Sequence, residues 1–377
     1  MMAKDGQMLP VADPRAGYLA YRDEIDPAIR AVLESSQYIL GAKVEGFEHA
    51  FAAFIGVSHG IGVNTGTDAI HLALRGLGIG NGDEVITVSH GAVATVAAIR
   101  MSGAEPVLAD VDPATLNMSP DAVKYLLTDR TKAIVAVHLY GHPADLDALT
   151  TLCKEHGLKL IEDCAQAHGA TYKGRTVGSI GDASAFSFYP TKNLGGIGDA
   201  GMVLTNDPDL ARRLRLLRQY GWETPQHSLL EGWNSRLDPL QAAILEVKLA
   251  HLDGCNARRH ELAANYSAAF SGLPLRLPTE QDGCDHVYHL YVMRTVDQGV
   301  RNALREHLLA YDILTGIHYP EPVHLQPAYR EWIRTGPMPV TSEAAGTVIS
   351  LPLYPELKDA DQQRVIDQVR NFFSIHK

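Results

Sequence analysis

Cysteine is scarce in this chain. Its 377 residues include four, Cys153, Cys164, Cys255 and Cys284, and none of them belongs to a Cys-x-x-Cys pair. This excludes the paired-cysteine motifs of redox and zinc sites. So few cysteines in so long a chain are typical of a reducing compartment, and we expect a cytoplasmic protein.

Positive charge and long apolar runs are also lacking. Lys and Arg number 33 against 44 Asp and Glu, so the formal net charge is −11. Binding of nucleic acid needs clustered Lys and Arg that neutralise phosphates, so we expect no nucleic-acid partner. No apolar run approaches the about 18 residues of a transmembrane helix. Residues 1–15 contain no apolar core of a signal peptide, and we expect no membrane partner.

Short apolar runs alternate with helical stretches between residues 62 and 204. This alternation is typical of βα units and predicts an α/β fold with a mostly parallel sheet. The predicted strands are 84–88, 105–109, 133–139, 159–162, 183–188 and 201–204. The predicted helices between them are 68–77, 93–101, 121–127 and 145–156.

The rest of the chain has a different pattern. Residues 208–218 and the long Ala- and Leu-rich stretch 238–269 predict helices. A strand near 289–294 and helices near 299–311 and 359–375 predict a smaller α+β domain. We therefore predict a large α/β domain over residues 1–250, with an N-terminal helical segment, and a small C-terminal domain over residues 251–377.

A lysine lies just beyond one of the predicted strands. Lys192 is followed by Gly195, Gly196 and Gly198. Glycines permit close approach of the backbone to a ligand. A lysine partly removed from water has a lowered pKa, which suits an amine that forms a Schiff base. For any single lysine a surface loop is the commoner explanation, so Lys192 needs support from other residues.

A carboxylate and an amide follow another predicted strand. Asp163 comes directly after strand 159–162, and Gln166 lies three residues further on. The carboxyl ends of parallel strands are where such sheets bind ligands. Pyridoxal phosphate (PLP) is an electron sink only while its pyridine nitrogen stays protonated, and a buried carboxylate such as Asp163 ensures this. Gln166 is a candidate for the ring 3-oxygen. Without further context, Asp163 is equally well a helix N-cap and Gln166 a turn residue.

A third segment has the features of a phosphate site. Residues 64–69 read Asn-Thr-Gly-Thr-Asp-Ala and precede a predicted helix. The free N–H groups and positive end of a helix bind phosphate, with Gly66 and Thr67 at the closest positions. Ser187, five residues before Lys192, is placed to add a hydroxyl. As a plain helix start, however, this sequence is common.

The order of these features is more specific than any one of them. A phosphate loop is followed by a carboxylate and then, 29 positions later, by the lysine. In this order the chain resembles the DegT/DnrJ/StrS-type sugar aminotransferases, which depend on PLP, and the resemblance runs from about residue 38 to residue 320. The segments that carry it are 64–69, 162–170, 187–201 and 232–238.

The resemblance implies a fold-type I aminotransferase, whose large domain has a mostly parallel seven-stranded sheet. It also implies a homodimer with active sites shared between subunits. By matching motif positions, Lys192 forms the Schiff base, Asp163 pairs with the pyridinium nitrogen and Gln166 contacts the ring. The residues that the resemblance assigns to the phosphate are Gly66, Thr67, Ser187 and, from the partner subunit, Asn234.

The resemblance also implies the reaction. Glutamate converts PLP to pyridoxamine phosphate, whose amine is then transferred to a keto nucleotide sugar. Segments 188–195 and 316–320 are similar to members that act on 3-keto sugars. The expected substrate is a dTDP-3-keto-6-deoxyhexose, which gives a dTDP-3-amino-3,6-dideoxyhexose. Tyr189, His318 and Tyr319 are candidates for the sugar side, with core or interface packing as the alternative.

One segment departs from the family pattern. Where the family usually has Thr followed by an aromatic residue, this chain has Gly91 and Ala92. That aromatic side chain stacks on the cofactor ring, a contact worth about 0.5–1.5 kcal/mol. Either His90 takes over the stacking, which makes it a cofactor-binding candidate, or the ring is held differently. The change indicates weaker cofactor retention or a different reaction.

Three alternatives remain open. The first is a C4 keto-sugar aminotransferase of the same family. The second is a PLP-dependent sugar dehydratase, although related dehydratases have histidine in place of the lysine. The third is a non-catalytic regulatory member of the family. No metal site is predicted, because Gly141 and Pro143 make a helix across the His138 and His142 pair improbable.

Overall fold

The computed structural model describes residues 8–375. This part of the chain forms the α-helices and β-strands that follow. The α-helices are α1 Pro14–Ala20, α2 Arg22–Ser35, α3 Ala42–Ile55, α4 Gly66–Gly76, α5 Val93–Ser102, α6 Pro120–Leu126, α7 Leu146–His156, α8 Pro208–Leu217, α9 Pro239–Leu249, α10 Leu252–Phe270, α11 Gln298–Ala310, α12 Pro339–Thr347 and α13 Asp359–Ile375. The strands are β1 His59–Val63, β2 Glu84–Val88, β3 Glu105–Ala109, β4 Thr131–Val137, β5 Lys159–Asp163, β6 Thr171–Tyr172, β7 Arg175–Thr176, β8 Ala183–Ser187, β9 Gly201–Thr205, β10 Trp222–Thr224, β11 His227–Ser228, β12 Cys284–Asp285, β13 Tyr291–Arg294, β14 Arg334–Thr335 and β15 Val348–Leu351.

The large sheet has the strand order β1-β9-β8-β5-β4-β2-β3-β14. β9 runs antiparallel to both of its neighbours, and the other pairs are parallel. Seven of its strands lie within residues 59–205, as the resemblance implies for the large domain, and an eighth comes from the C-terminal part of the chain. The additional strand, β14, pairs only two residues with β3, which is too short for a sequence pattern to reveal.

Both faces of this sheet are buried. Val85 of β2 and Val135 of β4 pack into one hydrophobic cluster. Their neighbours Ile86 and Ile134 pack into another. Successive side chains of a strand point to opposite faces, so a strand covered on both sides is a continuous apolar run. This explains why the strand positions were predictable, and it confirms the α/β class with a mostly parallel sheet.

The predicted helical stretch 238–269 forms two helices. α9 ends at Leu249, and α10 begins at Leu252 after the short connection Ala250–His251. α9 lies against α2 and α3, whereas α10 lies against α13. Neither Ala nor His interrupts a helical pattern strongly, so the sequence predicted one continuous segment.

A third hydrophobic cluster lies in the C-terminal part of the chain. It includes Tyr266, Tyr291 and Val365, and also Leu9 from the N-terminal segment. The domain division near residue 250 stays a prediction. Two backbone pairings join the parts on either side of it: Leu9 pairs with Ile313, and β14 pairs with β3 of the large sheet. Within residues 8–375 no helix is long and apolar enough to span a bilayer.

Candidate functional site

A cavity of about 270 Å³ lies at the carboxyl ends of β4, β5 and β8, beside the first turns of α4 and α5. This is the edge at which parallel sheets place their ligands. Seven of the predicted site residues line it: Gly66, Thr67, Asp163, Gln166, Ser187, Tyr189 and Lys192. The other lining residues are Thr65, Ile70, Ala92, Ala94, Thr95, Val137, Ala165 and Asp199.

One end of the cavity is built to hold an anion. Thr65 is the N-cap of α4, and its hydroxyl accepts the N–H of Asp68. The first N–H groups of a helix have no partner inside the helix, so those of Gly66 and Thr67 are available to a phosphate. A Cβ atom on Gly66 would lie 2.5 Å from Cβ of Ser187, which explains the glycine at this position.

Asp163 lies at the base of the cavity and is 4% exposed. Its Oδ2 accepts a hydrogen bond from the Thr95 hydroxyl at 2.7 Å, and its Oδ1 accepts one from the N–H of Ala165 at 3.1 Å. These two hydrogen bonds fix the plane of the carboxylate. Asp163 ends β5 and caps no described helix, and its role as a site residue stays a prediction.

The neighbour of Asp163 anchors the end of β5. Glu162 is fully buried. Its Oε1 accepts the N–H groups of Ile180 and Gly181, and its Oε2 accepts the N–H of Gly178 and contacts His138 Nε2. A buried carboxylate with four partners holds the strand end firmly. Asp163 therefore extends from a rigid support.

Lys192 lies in the loop after β8, and its amine shares the cavity with Asp163. The N–H of Lys192 donates to the carbonyl of Tyr189, and the side chain of Asn193 donates to Asn256 and to the carbonyl of Val287. Burial lowers the pKa of Lys192 to about 8, against a smaller raising effect of the Asp163 charge. A substantial fraction of this amine is therefore neutral near physiological pH.

Gln166 is held by two tyrosines. Its Oε1 accepts the N–H of Tyr140 at 2.7 Å, and its Nε2 donates to the hydroxyl of Tyr319 at 2.9 Å. Burial raises the pKa of Tyr319 to about 12, so its phenol stays protonated. One N–H of the Gln166 amide remains free to face a ligand. Tyr319, predicted for the sugar side, therefore contacts Gln166 and does not line the cavity.

Three other predicted residues also lie outside the cavity lining. His90 is fully buried, its Nε2 lies 2.8 Å from the hydroxyl of Tyr140, and burial lowers its pKa to about 4. His318 Nδ1 contacts Ser350 Oγ at 2.8 Å, and Asn234 is exposed. Their contacts with cofactor or substrate stay predictions.

The structure adds residues that the sequence reasoning missed. Thr95 lies in the first turn of α5, the helix that follows β2, and Asp199 lies in the loop after Lys192. A hydroxyl residue in the first turn of a helix that follows a parallel strand was the available signal for Thr95. Among the described residues, no aromatic side chain from the start of α5 lines the cavity. Ala92 stands where the family usually has the aromatic residue that stacks on the cofactor ring.

The residues present fit PLP. The free helix N-terminus suits its phosphate, a buried carboxylate suits its ring nitrogen, and a lysine with a lowered pKa suits its aldehyde.

Comparison with known proteins agrees with this chemistry. A family profile described as the DegT/DnrJ/EryC1/StrS aminotransferase family matches residues 20–370. The dTDP-3-amino-3,4,6-trideoxy-alpha-D-glucose transaminase of Streptomyces venezuelae is 49% identical over 366 residues, 97% of this chain and 96% of that protein.

A second relative and a solved structure are also similar over nearly their whole length. The dTDP-3-amino-3,6-dideoxy-alpha-D-galactopyranose transaminase of Aneurinibacillus thermoaerophilus is 45% identical over 365 residues, 97% of this chain and 99% of that protein. The crystal structure of S. venezuelae DesV in complex with a ketimine intermediate matches with a TM-score of 0.94 at 48% identity, covering 97% of this chain and 98% of that one.

Proposed function

Because this chain belongs to the DegT/DnrJ/EryC1/StrS aminotransferase family, we propose that it is a PLP-dependent nucleotide-sugar aminotransferase. It transfers the amino group of L-glutamate to a dTDP-3-keto-6-deoxyhexose and gives a dTDP-3-amino-3,6-dideoxyhexose. One observation carries the proposal: Lys192, Asp163 and the free N-terminus of α4 line a single cavity. The names of the two relatives, both 3-amino-sugar transaminases, support amination at C3.

Different residues of the cavity would bind different parts of the cofactor. Gly66, Thr67 and Ser187 would hold the phosphate, Asp163 would pair with the ring nitrogen and Gln166 would contact the 3-oxygen. When bound, PLP supplies an electrophilic aldehyde and an electron sink for the bonds at the amino-bearing carbon. The protein contributes the position and the charge of the groups around it.

Lys192 moves the protons. Its amine would bond to the aldehyde of bound PLP and, when free of that bond, would accept and return a proton as general base and then as general acid. In the cofactor-free protein burial lowers the pKa of Lys192 to about 8, so both of its protonation states are populated near neutral pH.

A second subunit completes the site in this proposal. Tyr189 lines the cavity yet is 52% exposed, and Asn234 is exposed as well. An exposed Tyr189 at the cavity and an exposed Asn234 outside its lining fit a homodimer in which Asn234 of the partner subunit reaches the phosphate. Tyr189 and His318 then face the sugar, while Tyr319 acts on the ring through Gln166.

The colour of the purified protein tests the function. With PLP bound through Lys192, the protein should absorb at about 410–430 nm, and L-glutamate should bleach this band. A panel of 3-keto and 4-keto dTDP-sugars should then restore the band, fastest with the 3-keto compounds. A protein that stays colourless in added PLP would contradict the proposal. Restoration by the 4-keto compounds alone would favour the C4 alternative.

The pH dependence of cofactor attachment tests the state of Lys192. Only the neutral amine attacks an aldehyde, so the attachment rate in cofactor-free protein should rise about tenfold per pH unit below a midpoint of about 8 and then level off. Stopped-flow absorbance measures this rate. A midpoint above about 10, the value of an exposed lysine, would mean that burial does not activate the amine.

A further inference from the structure

A threonine of α5 contacts the carboxylate at the base of the cavity. Thr95 lies in the first turn of this helix and is 5% exposed. Its hydroxyl donates to Oδ2 of Asp163 at 2.7 Å, and both residues line the cavity. Among the residues that the structure describes, no other side chain donates to Asp163.

The direction of this hydroxyl is informative. A threonine in a helix can return its hydroxyl to a backbone carbonyl of the preceding turn. The hydroxyl of Thr95 instead points away from its own helix. It donates to Asp163 at the end of β5, 68 positions further along the chain. Because Thr is branched at Cβ, few rotamers are open to it, and the hydroxyl is held in this direction.

We propose that Thr95 is a positioning residue, whose hydroxyl holds the Asp163 carboxylate in the orientation that meets the protonated ring nitrogen of the cofactor. This inference rests on the proposed PLP chemistry and extends it to a residue of α5. Ala165 N–H restrains Oδ1, and Thr95 restrains Oδ2. Without Thr95, the carboxylate has one restraint and can rotate about its Cβ–Cγ bond.

Three substitutions of Thr95 distinguish the effect of its hydroxyl from the effect of its side-chain shape. Thr95→Val keeps the shape and removes the hydroxyl, Thr95→Ala removes both, and Thr95→Ser keeps the hydroxyl. Titration of cofactor-free protein with PLP should give a Kd about tenfold higher for the Val and Ala variants, since the affected bond involves a charged group. The Ser variant should stay within about threefold of the wild type.

A buried threonine elsewhere supplies the matched control. Thr87 is fully buried on β2 and donates to the carbonyl of Val135 at 3.1 Å, outside the cavity lining. Thr87→Val removes a comparable hydroxyl and should leave the Kd for PLP unchanged. In addition, Thr95→Val should cause no further loss when combined with Asp163→Asn, because both changes act on one contact.

The outcomes are separable. Wild-type affinity in both Thr95→Val and Thr95→Ala would overturn the inference while the proposed function stands. An equal loss in Thr87→Val, or an additive loss in the double variant, would also overturn it, because Thr95 would then act on the fold and not through Asp163. A wild-type protein that binds no PLP would overturn the proposed function as well.

Discussion

Replacing Lys192 by alanine is expected to abolish the band at about 410–430 nm and to lower the rate of transamination by at least about 10⁴-fold. The loss is large because one side chain has two tasks, attachment of the cofactor and transfer of the proton. The phosphate end of the cavity stays intact in this variant, so PLP should still bind, but without a covalent bond. Absorbance spectra and single-turnover kinetics with L-glutamate measure the two effects.

Two further substitutions make the test specific. Lys192→Arg keeps the positive charge beside Asp163 but cannot form the bond, so it should be as inactive as the alanine variant. Lys124 is exposed and pairs with the exposed Asp121, so Lys124→Ala should behave as the wild type. Transamination at the normal rate in Lys192→Ala would mean that another amine carries the reaction.

Asp163→Asn is expected to give the second largest loss. An amide has the shape of the carboxylate but lacks the charge that keeps the ring nitrogen protonated, and loss of such an electrostatic group typically costs about 10²–10³-fold in rate. The Asp163 charge also raises the pKa of Lys192, so the midpoint of cofactor attachment should fall below about 8. Steady-state rates and the pH profile of attachment measure these effects.

The matched control for Asp163→Asn is a carboxylate away from the cavity. Asp207 is the N-cap of α8, where its side chain accepts the N–H groups of Asp209 and Leu210. Asparagine caps helices as well as aspartate does, so Asp207→Asn should preserve stability and rate. If both variants were fully active, Asp163 would have no electrostatic part in the reaction.

The sequence predicted features that local chemistry determines. β2 and β3 were placed correctly because strands buried on both faces are apolar throughout, and the order of Asp163 and Lys192 identified the family. The contact between Gln166 and Tyr319 joins residues 153 positions apart, and no local pattern indicates it. The hydrogen bond from Thr95 to Asp163 was missed because it joins residues 68 positions apart.

The short strand β14 has a consequence for how the chain is made. Until residues 334–335 emerge from the ribosome, β3 is an open edge of the large sheet, and such edges can pair with other chains. The same segment brings Arg334 to the buried Glu84, which otherwise has Arg130 as its cation. The nascent protein therefore carries an unprotected edge until residues 334–335 have been made. A chain that ends before residue 334 keeps that edge permanently and is predisposed to aggregate.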